Sequence, residues 1–551
     1  MADGMPPPRE LIWMCGKRGI PVSIEALTRI LAAASALQFG GCTAIVTVRN
    51  GLLWPAIWVS GKFLDATSPI PSIDPKWFPA NVFIRIFVVN PSAPNDLPAS
   101  IPDKFDRIVY VTDAIPSSVP DALRTHFKAG AIQPNDPSQT YFSSFIASIL
   151  LSGPPPPAPR SDMPPLRSLL RAVFRDGFAL LPDALRALLG IPREHDDFRS
   201  EPLDDDIRMT DGGITSKPRS PLRRDACRLR FDVEKLTRLW GAVSAGTVPT
   251  FHRTVFKNRR SRQTAWRWAR AVTNRRIGLA VSGGGATSYR LVPLLELLGK
   301  RRVPVDVLGG ESGGASLGAY YCRDGSAGLT EYMRAGNLLS IAGLLFAGVT
   351  SQPIETGMDW AFANTTLDDL EVRFVPVTTA LPPSGPPAAH AVVRGTLGAA
   401  VRASGALPIF FARTVNHGVI YSDGSMSAQI PARQLPNYGA DHVFACNSIP
   451  GPDRRNPISG WPGGELLYRF TYVGPMLDMF VSNGFMLNRI GLDAGLYADV
   501  FIDMTPNRAS TFEIFEWWRA AGLVEEARRD PRLRKGVSAC KALWKRVRKD
   551  P

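Results

Sequence analysis

At 551 residues the chain exceeds the ~250–300 at which a single hydrophobic core stops growing, so two or more domains are expected. With 45% hydrophobic and 21% charged residues, its composition is that of a globular protein and excludes wholesale disorder. A formal net charge of +15 favours contact with phosphates, of anionic lipid or of nucleic acid, without choosing between them.

In chain order, the N-terminus lacks the basic start, apolar stretch and cleavage site of a secretory signal, so export is not expected. Residues 1–150 carry β-rich apolar runs at Thr43–Val48, Val82–Val89 and Arg107–Thr112, separated by helix-like or Pro-rich stretches such as Ile24–Leu37. This pattern predicts a small α/β domain. Residues 151–165 read as a linker, since Gly153 to Pro165 holds seven prolines, four of them consecutive at Pro154–Pro157. Residues 166–275 form a helical and basic connecting region. Its spacing is helical from Leu166 to Leu189, whereas Arg193 to Arg224 is polar and predicts an exposed loop. Between Arg253 and Arg276 lie nine Lys or Arg and no acid, with Trp266 and Trp268 among them, a composition suited to a membrane surface, to phosphates or to a solvated face. Ala335 to Ile354 is free of charge, but its apolar heart is too short for a transmembrane helix, and a buried helix is expected there. The closing segment predicts a basic amphipathic helix, with Val537, Cys540, Trp544 and Val547 on one side. The six cysteines are scattered without metal or disulfide spacing, as thiols in a reducing, cytoplasmic compartment would be.

The chemistry concentrates after the basic stretch. The buried-strand run Ile277–Val281 leads into Ser282-Gly283-Gly284-Gly285 and a helix-like segment, so backbone N–H groups of a glycine turn can converge on a phosphate or an oxyanion. A second strand, Val305–Leu308, runs into Gly309-Gly310-Glu311-Ser312-Gly313-Gly314 and another helix. This is G-x-S-x-G in a strand-turn-helix setting, which thrusts a serine hydroxyl outward and offers the Gly313 N–H to an oxyanion. A serine needs a base. His390, His417 and His442 follow Ser312, but none lies in a catalytic setting; Asp423, ending the strand Val419–Asp423 at Gly424, is the stronger candidate. Capping a turn is its alternative role.

Gly283-Gly284-Gly285, then Gly310-x-Ser312-x-Gly314, then Asp423-Gly424 are the ordered blocks of the patatin-like phospholipases, which the chain resembles from Arg276 to Trp518. Supporting matches are Thr366–Leu370, Phe374–Thr378, Ala403–Pro408 and Ala498–Asp503. The lead-in around Trp268–Leu279 looks most like bacterial relatives of neuropathy target esterase, a family that hydrolyses phospholipids and lysophospholipids. The resemblance implies a three-layer α/β/α hydrolase domain over residues 276–551, with Ser312 as nucleophile, Asp423 as base, oxyanion donors from Gly283, Gly284, Gly285 and Gly313, and no metal or cofactor. The chain departs from the pattern at Thr287 and Ser288, where the family has Arg or Lys and then Gly, and at Ser425 and Gln429, where it has Gly and Asn. The expected partner is a membrane lipid on an anionic surface, with peripheral attachment and no nucleic acid. Three other readings stand beside this one, the third a nucleic-acid binder suggested by net charge alone, with no recognisable motif. An α/β-hydrolase would need a later catalytic His and an oxyanion loop well upstream. A patatin-fold lipid-binding or scaffold protein with lapsed activity would need neither.

Overall fold

The computed structural model describes residues 275–335, 352–383, 387–407, 414–449, 463–472, 491–505 and 516–549, a few neighbouring positions, and, before residue 263, chiefly the strands named below. Strands β1 (Glu10–Cys15), β2 (Cys42–Arg49), β3 (Leu52–Val59), β4 (Lys62–Asp65), β5 (Val82–Val89), β6 (Arg107–Thr112) and β7 (Ile146–Ala147) join in the order β4-β3-β2-β5-β6-β1-β7. The run from β2 through β5 and β6 to β1 and β7 is parallel, and β2-β3-β4 is an antiparallel meander. The three apolar runs expected as strands thus belong to one sheet, while the expected helix at Ile24–Leu37 lies outside the described residues. So does the Pro-rich segment, apart from the end of β8 (Ile149–Leu151).

The polar stretch expected as an exposed loop instead holds β9 (Phe198–Pro202) and a hairpin of β10 (Ile207–Thr210) and β11 (Gly213–Ser216). β8 pairs in parallel with β12 (Leu229–Phe231). β9 is an edge strand with one buried apolar side chain, Phe198, so little hydrophobic pattern marks it as a strand.

β9 belongs to a nine-stranded sheet with β13 (Ile277–Val281), β14 (Val307–Glu311), β15 (Arg373–Leu381), β16 (Ala388–Gly395), β17 (Thr414–Asn416), β18 (Val419–Asp423), β19 (His442–Asn447) and β20 (Val500–Asp503). Its centre, β20-β19-β13-β14-β15, is parallel; β16, β17 and β18 run antiparallel to their partners. β13 and β14 are buried throughout, as parallel strands covered on both faces must be. On one face Ile277, Leu279 and Val281 pack in a cluster with Leu294 and Leu298 of α1 (Val292–Lys300), Leu317 of α2 (Ser312–Asp324), Ala400 of α4 (Leu397–Ser404), Leu523 of α6 (Ala520–Arg529) and Trp544 of α7 (Pro531–Lys549). On the other, Ala280, Val307 and Val443 meet Ile430, Leu435 and Tyr438. Among the described residues that second face is covered by residues 428–440, with a 3-10 turn at Leu435–Tyr438 rather than a long helix. A Cβ on Gly309 would lie 2.6 Å from Leu435 Cδ2, so this glycine lets the covering segment approach the sheet. α3 (Gln352–Ala361) packs beside α4, and α5 (Gly464–Phe470) is largely exposed.

Most of the basic stretch before β13, Arg253 to Arg262 included, lies outside the described residues; its described cations turn inward. Among its described residues, Arg270, Arg275 and Arg276 are buried. Arg270 forks onto Asp306 at 2.8 and 2.6 Å, Arg267 reaches Glu371 at 3.1 Å, and Arg276 pairs with Asp441 at 3.4 Å. Acids distant in sequence draw these cations inward, which a count of local charge cannot reveal. The closing helix behaves as expected: Val537, Cys540, Trp544 and Val547 are buried, and Lys545, Arg546, Arg548 and Lys549 face outward. Most of the charge-free stretch at 335–354 lies outside the described residues.

Candidate active site

The site forms where two strands of opposite direction meet end to end on one edge of β15. Glu311, the last residue of β14, pairs with Val377; Asp423, the last of β18, pairs with Thr378. β16 occupies the other edge at both positions, so the ends of β14 and β18 are neighbours. Ser312 follows Glu311 and opens α2, and sequence positions more than a hundred residues apart are thereby brought together.

Ser312 takes the left-handed conformation, φ 51°, which a non-glycine residue adopts at a sharp strand-to-helix turn. Its flanking glycines are sterically required: a Cβ on Gly310 would lie 2.9 Å from Gly314 C, and one on Gly314 would lie 2.5 Å from the Ser282 carbonyl. The Ser312 N–H donates to Ser404 Oγ at 3.0 Å, and Ser404 donates to the Val377 carbonyl. The strained backbone is therefore held from α4. Ser312 itself is half-buried, within reach of a substrate.

The glycine turn lies against this elbow. Gly284 and Gly285 have φ 99° and 54°, and a Cβ on Gly313 would lie 2.5 Å from the Gly285 carbonyl. Thr287 and Ser288, the departures noted after the glycines, close the turn by donating to the carbonyls of Gly284 and Gly285 at 2.9 and 2.6 Å. Ser288 also meets the Tyr332 hydroxyl at 2.5 Å. One expected oxyanion donor is otherwise engaged: the Gly283 N–H donates to Glu311 Oε1. The reason is local, because the Glu311 carboxyl occupies the place where a Gly283 side chain would be.

Asp423 is fully buried and does two things. As a turn cap, its Oδ1 accepts the Ser425 N–H at 2.9 Å. Among the described residues, its Oδ2 has no conventional donor. Burial raises the Asp423 pKa, against the lowering influence of the Ser425 hydroxyl and amide, the Ser312 hydroxyl and Glu311. The departure at Ser425 thus supplies a hydroxyl to this carboxylate. The backbone around Asp423 is pinned by hydroxyls of β15: Thr379 donates to the Asp423 carbonyl at 2.7 Å, and Thr378 to the Ser422 carbonyl at 2.9 Å and that of Ala403 at 2.8 Å. Gly424 follows because a Cβ there would meet the Val377 carbonyl and lie 2.8 Å from Glu311 Cβ. Gln429 is buried too, and among the described residues neither of its side-chain polar atoms has a partner.

The three histidines that follow Ser312 make other contacts. His390 contacts Ser200 at 3.0 Å, His417 sits in the β17–β18 turn, and His442 lies 3.9 Å from Asp499. Glu311, Ser404, Thr378 and Thr379 were not singled out from the sequence. Ser404 and Thr378 fall within runs that carry the family resemblance, which was the available signal. Among the described residues no group of three or more His, Cys, Asp and Glu is arranged to hold a metal, and no helix is long and apolar enough to cross a membrane.

No family model matches the chain. It is 27% identical over 223 residues to the neuropathy target esterase sws of Drosophila melanogaster, covering 37% of this chain and 15% of that protein. It is also 27% identical to the lysophospholipase nte1 of Aspergillus fumigatus over 190 residues, 32% of this chain and 12% of that one, and to that of Aspergillus niger over 246 residues, 39% and 16%. The chain thus matches less than a fifth of the length of these relatives. Among solved structures, the crystal structure of VipD from Legionella pneumophila is similar over 47% of this chain and 67% of that chain, at 13% identity and a TM-score of 0.23.

Proposed function

We propose that this chain is a patatin-like serine lipid acyl hydrolase of the phospholipase A or lysophospholipase type. The observation that carries the reading is Ser312, strained at a strand-to-helix turn and beside a buried carboxylate, Asp423, that it helps to stabilise. The names of the esterase and lysophospholipase relatives support a lipid ester as substrate. In this reading Ser312 Oγ attacks the carboxylic ester while its proton passes to Asp423. The oxyanion is met by the amides of Gly284, Gly285 and Gly313, the last at the positive end of α2, and water then clears the acyl-enzyme. Burial of Asp423 favours its protonated form, which suits it to accept that proton. The cationic face of α7 would hold the enzyme peripherally on the cytoplasmic side of an anionic membrane.

The test is hydrolysis of a short-chain chromogenic ester, a lysophospholipid and a diacyl phospholipid by the wild type, Ser312→Ala and Asp423→Ala. Turnover lost in both folded variants is the expected result and ranks the substrates. A folded wild type that turns over none of them would favour a lapsed, lipid-binding protein.

A further inference from the structure

The side chain before the nucleophile touches all three blocks of the site. Glu311 is fully buried, binds the Gly283 N–H, and packs against Gly424 beside Asp423. One oxygen of each carboxyl has an N–H donor: Glu311 Oε1 from Gly283 and Asp423 Oδ1 from Ser425. The other oxygen of each, Glu311 Oε2 and Asp423 Oδ2, is buried without a conventional donor among the described residues. The two groups interact, and no Lys or Arg among the described residues pairs with either. Asp423 is the titratable group that faces Glu311 among those residues. Two adjacent buried carboxylates with no counter-charge do not both ionise; one proton between them satisfies both free oxygens.

We propose that Glu311 is a positioning residue of this site: it shares one proton with Asp423, holding that carboxylate toward Ser312 while fastening the glycine turn through Gly283. The inference deepens the hydrolase reading of Ser312 and Asp423 and rests on it. The proton resides on Glu311, because Asp423 has the richer set of donors in the Ser425 amide and the Ser425 and Ser312 hydroxyls. Burial first, and then the Asp423 charge, push the Glu311 carboxyl well above the ordinary carboxylate range, against the lowering influence of the Gly283 amide. During attack the Ser312 proton passes to Asp423 while Glu311 keeps its own. The pair then holds two protons, and it returns to one when the leaving alkoxide takes the proton from Asp423. At higher pH the pair loses its shared proton, and repulsion drives the two carboxylates apart.

The experiment compares wild type, Glu311→Gln and Glu311→Ala in the full chain. It reads kcat and KM for a short-chain chromogenic ester across pH, together with the infrared carbonyl band of a protonated carboxylic acid. Gln keeps an acceptor for Gly283 and a donor for Asp423; Ala keeps neither. Ala is expected to lower kcat on the order of 100-fold, as a misplaced reacting group does. Gln is expected to stay within about tenfold of wild type, to lose the alkaline fall in kcat, and to lack the acid carbonyl band. Variants that fold less well but keep the wild-type kcat and pH profile would reduce Glu311 to a structural bolt and overturn the proposal, as would a carbonyl band unchanged in Glu311→Gln. Should wild type turn over no ester, the hydrolase reading fails on its own. The infrared band then decides the shared proton: loss of the band in Glu311→Gln upholds it, and no band in wild type overturns it.

Discussion

The two ends of one strand carry buried acids in opposite circumstances. Just before β14, Asp306 is gripped by the Arg270 fork at 2.8 and 2.6 Å, by the Ile277 N–H at 3.1 Å, and by Arg267 at 3.6 Å. At the far end, Glu311 and Asp423 are equally buried, with one N–H donor each and no cation among the described residues. A buried carboxylate surrounded by cations is fully occupied in holding the fold together. One left short of partners is reactive, and keeping it so costs stability.

The sharpest way to break this contrast is to make both acids neutral. Ser312→Ala and Asp423→Asn should each lower kcat, the first by about 10⁴-fold or more and the second by about 10²–10⁴-fold. Asp423→Asn should nonetheless raise the melting temperature, because it removes the one buried negative charge of the pair, which no cation among the described residues offsets, while Glu311 stays neutral. Asp306→Ala should do the reverse, destabilising by about 3–5 kcal/mol in denaturant titration while the remaining folded protein keeps its turnover. If Asp306→Ala abolished activity in protein that is still folded, or Asp423→Asn were strongly destabilising, the division between the two ends would be wrong.

A smaller effect sharpens the comparison at the functional end. Because the Glu311 pKa is raised on folding, the native state binds more protons than the unfolded chain between the ordinary carboxylate range and the raised value. Stability from this group is therefore present at low pH and falls as pH rises through that window. Glu311→Gln cannot lose a proton, so its melting temperature should gain on wild type as pH goes from about 5 to about 8. A difference that is flat with pH would contradict the sign.

Much of this site was legible in the sequence because the chemistry requires glycine where backbone meets backbone, and glycine runs are visible. Gly310, Gly314 and Gly424 each lie where a Cβ would collide, and the apolar runs before Ser312 and Asp423 do form strands. What the sequence concealed depends on partners far along the chain. Glu311 occupies the variable position of its motif, and its meaning depends on β18 arriving on the same edge of β15. The Gly283 amide was expected to face an oxyanion, and only the position of the Glu311 side chain shows it engaged. β9 is nearly all polar because a single residue of an edge strand, Phe198, is buried.

The same dependence on distant partners separates the arginines just before β13 from the basic face of α7, and here the expected effects are smallest. Arg270 and Arg276 are drawn inward by Asp306 and Asp441, whereas α7 has its apolar residues on the sheet side and Lys545, Arg546 and Lys549 in solvent. Exposed charges of this kind contribute little to folding, so Lys545→Ala and Lys549→Ala should each change stability by less than about 0.5 kcal/mol. Their effect should appear on a membrane instead. Each Lys near an anionic surface contributes about 1 kcal/mol, so the double variant should bind phosphatidylserine vesicles roughly tenfold or more weakly at low salt, with the difference shrinking as salt rises. Neutral phosphatidylcholine vesicles serve as the control. Equal binding of wild type and the double variant to both vesicle types would leave α7 a solvated face, and would place any membrane contact elsewhere on the molecule.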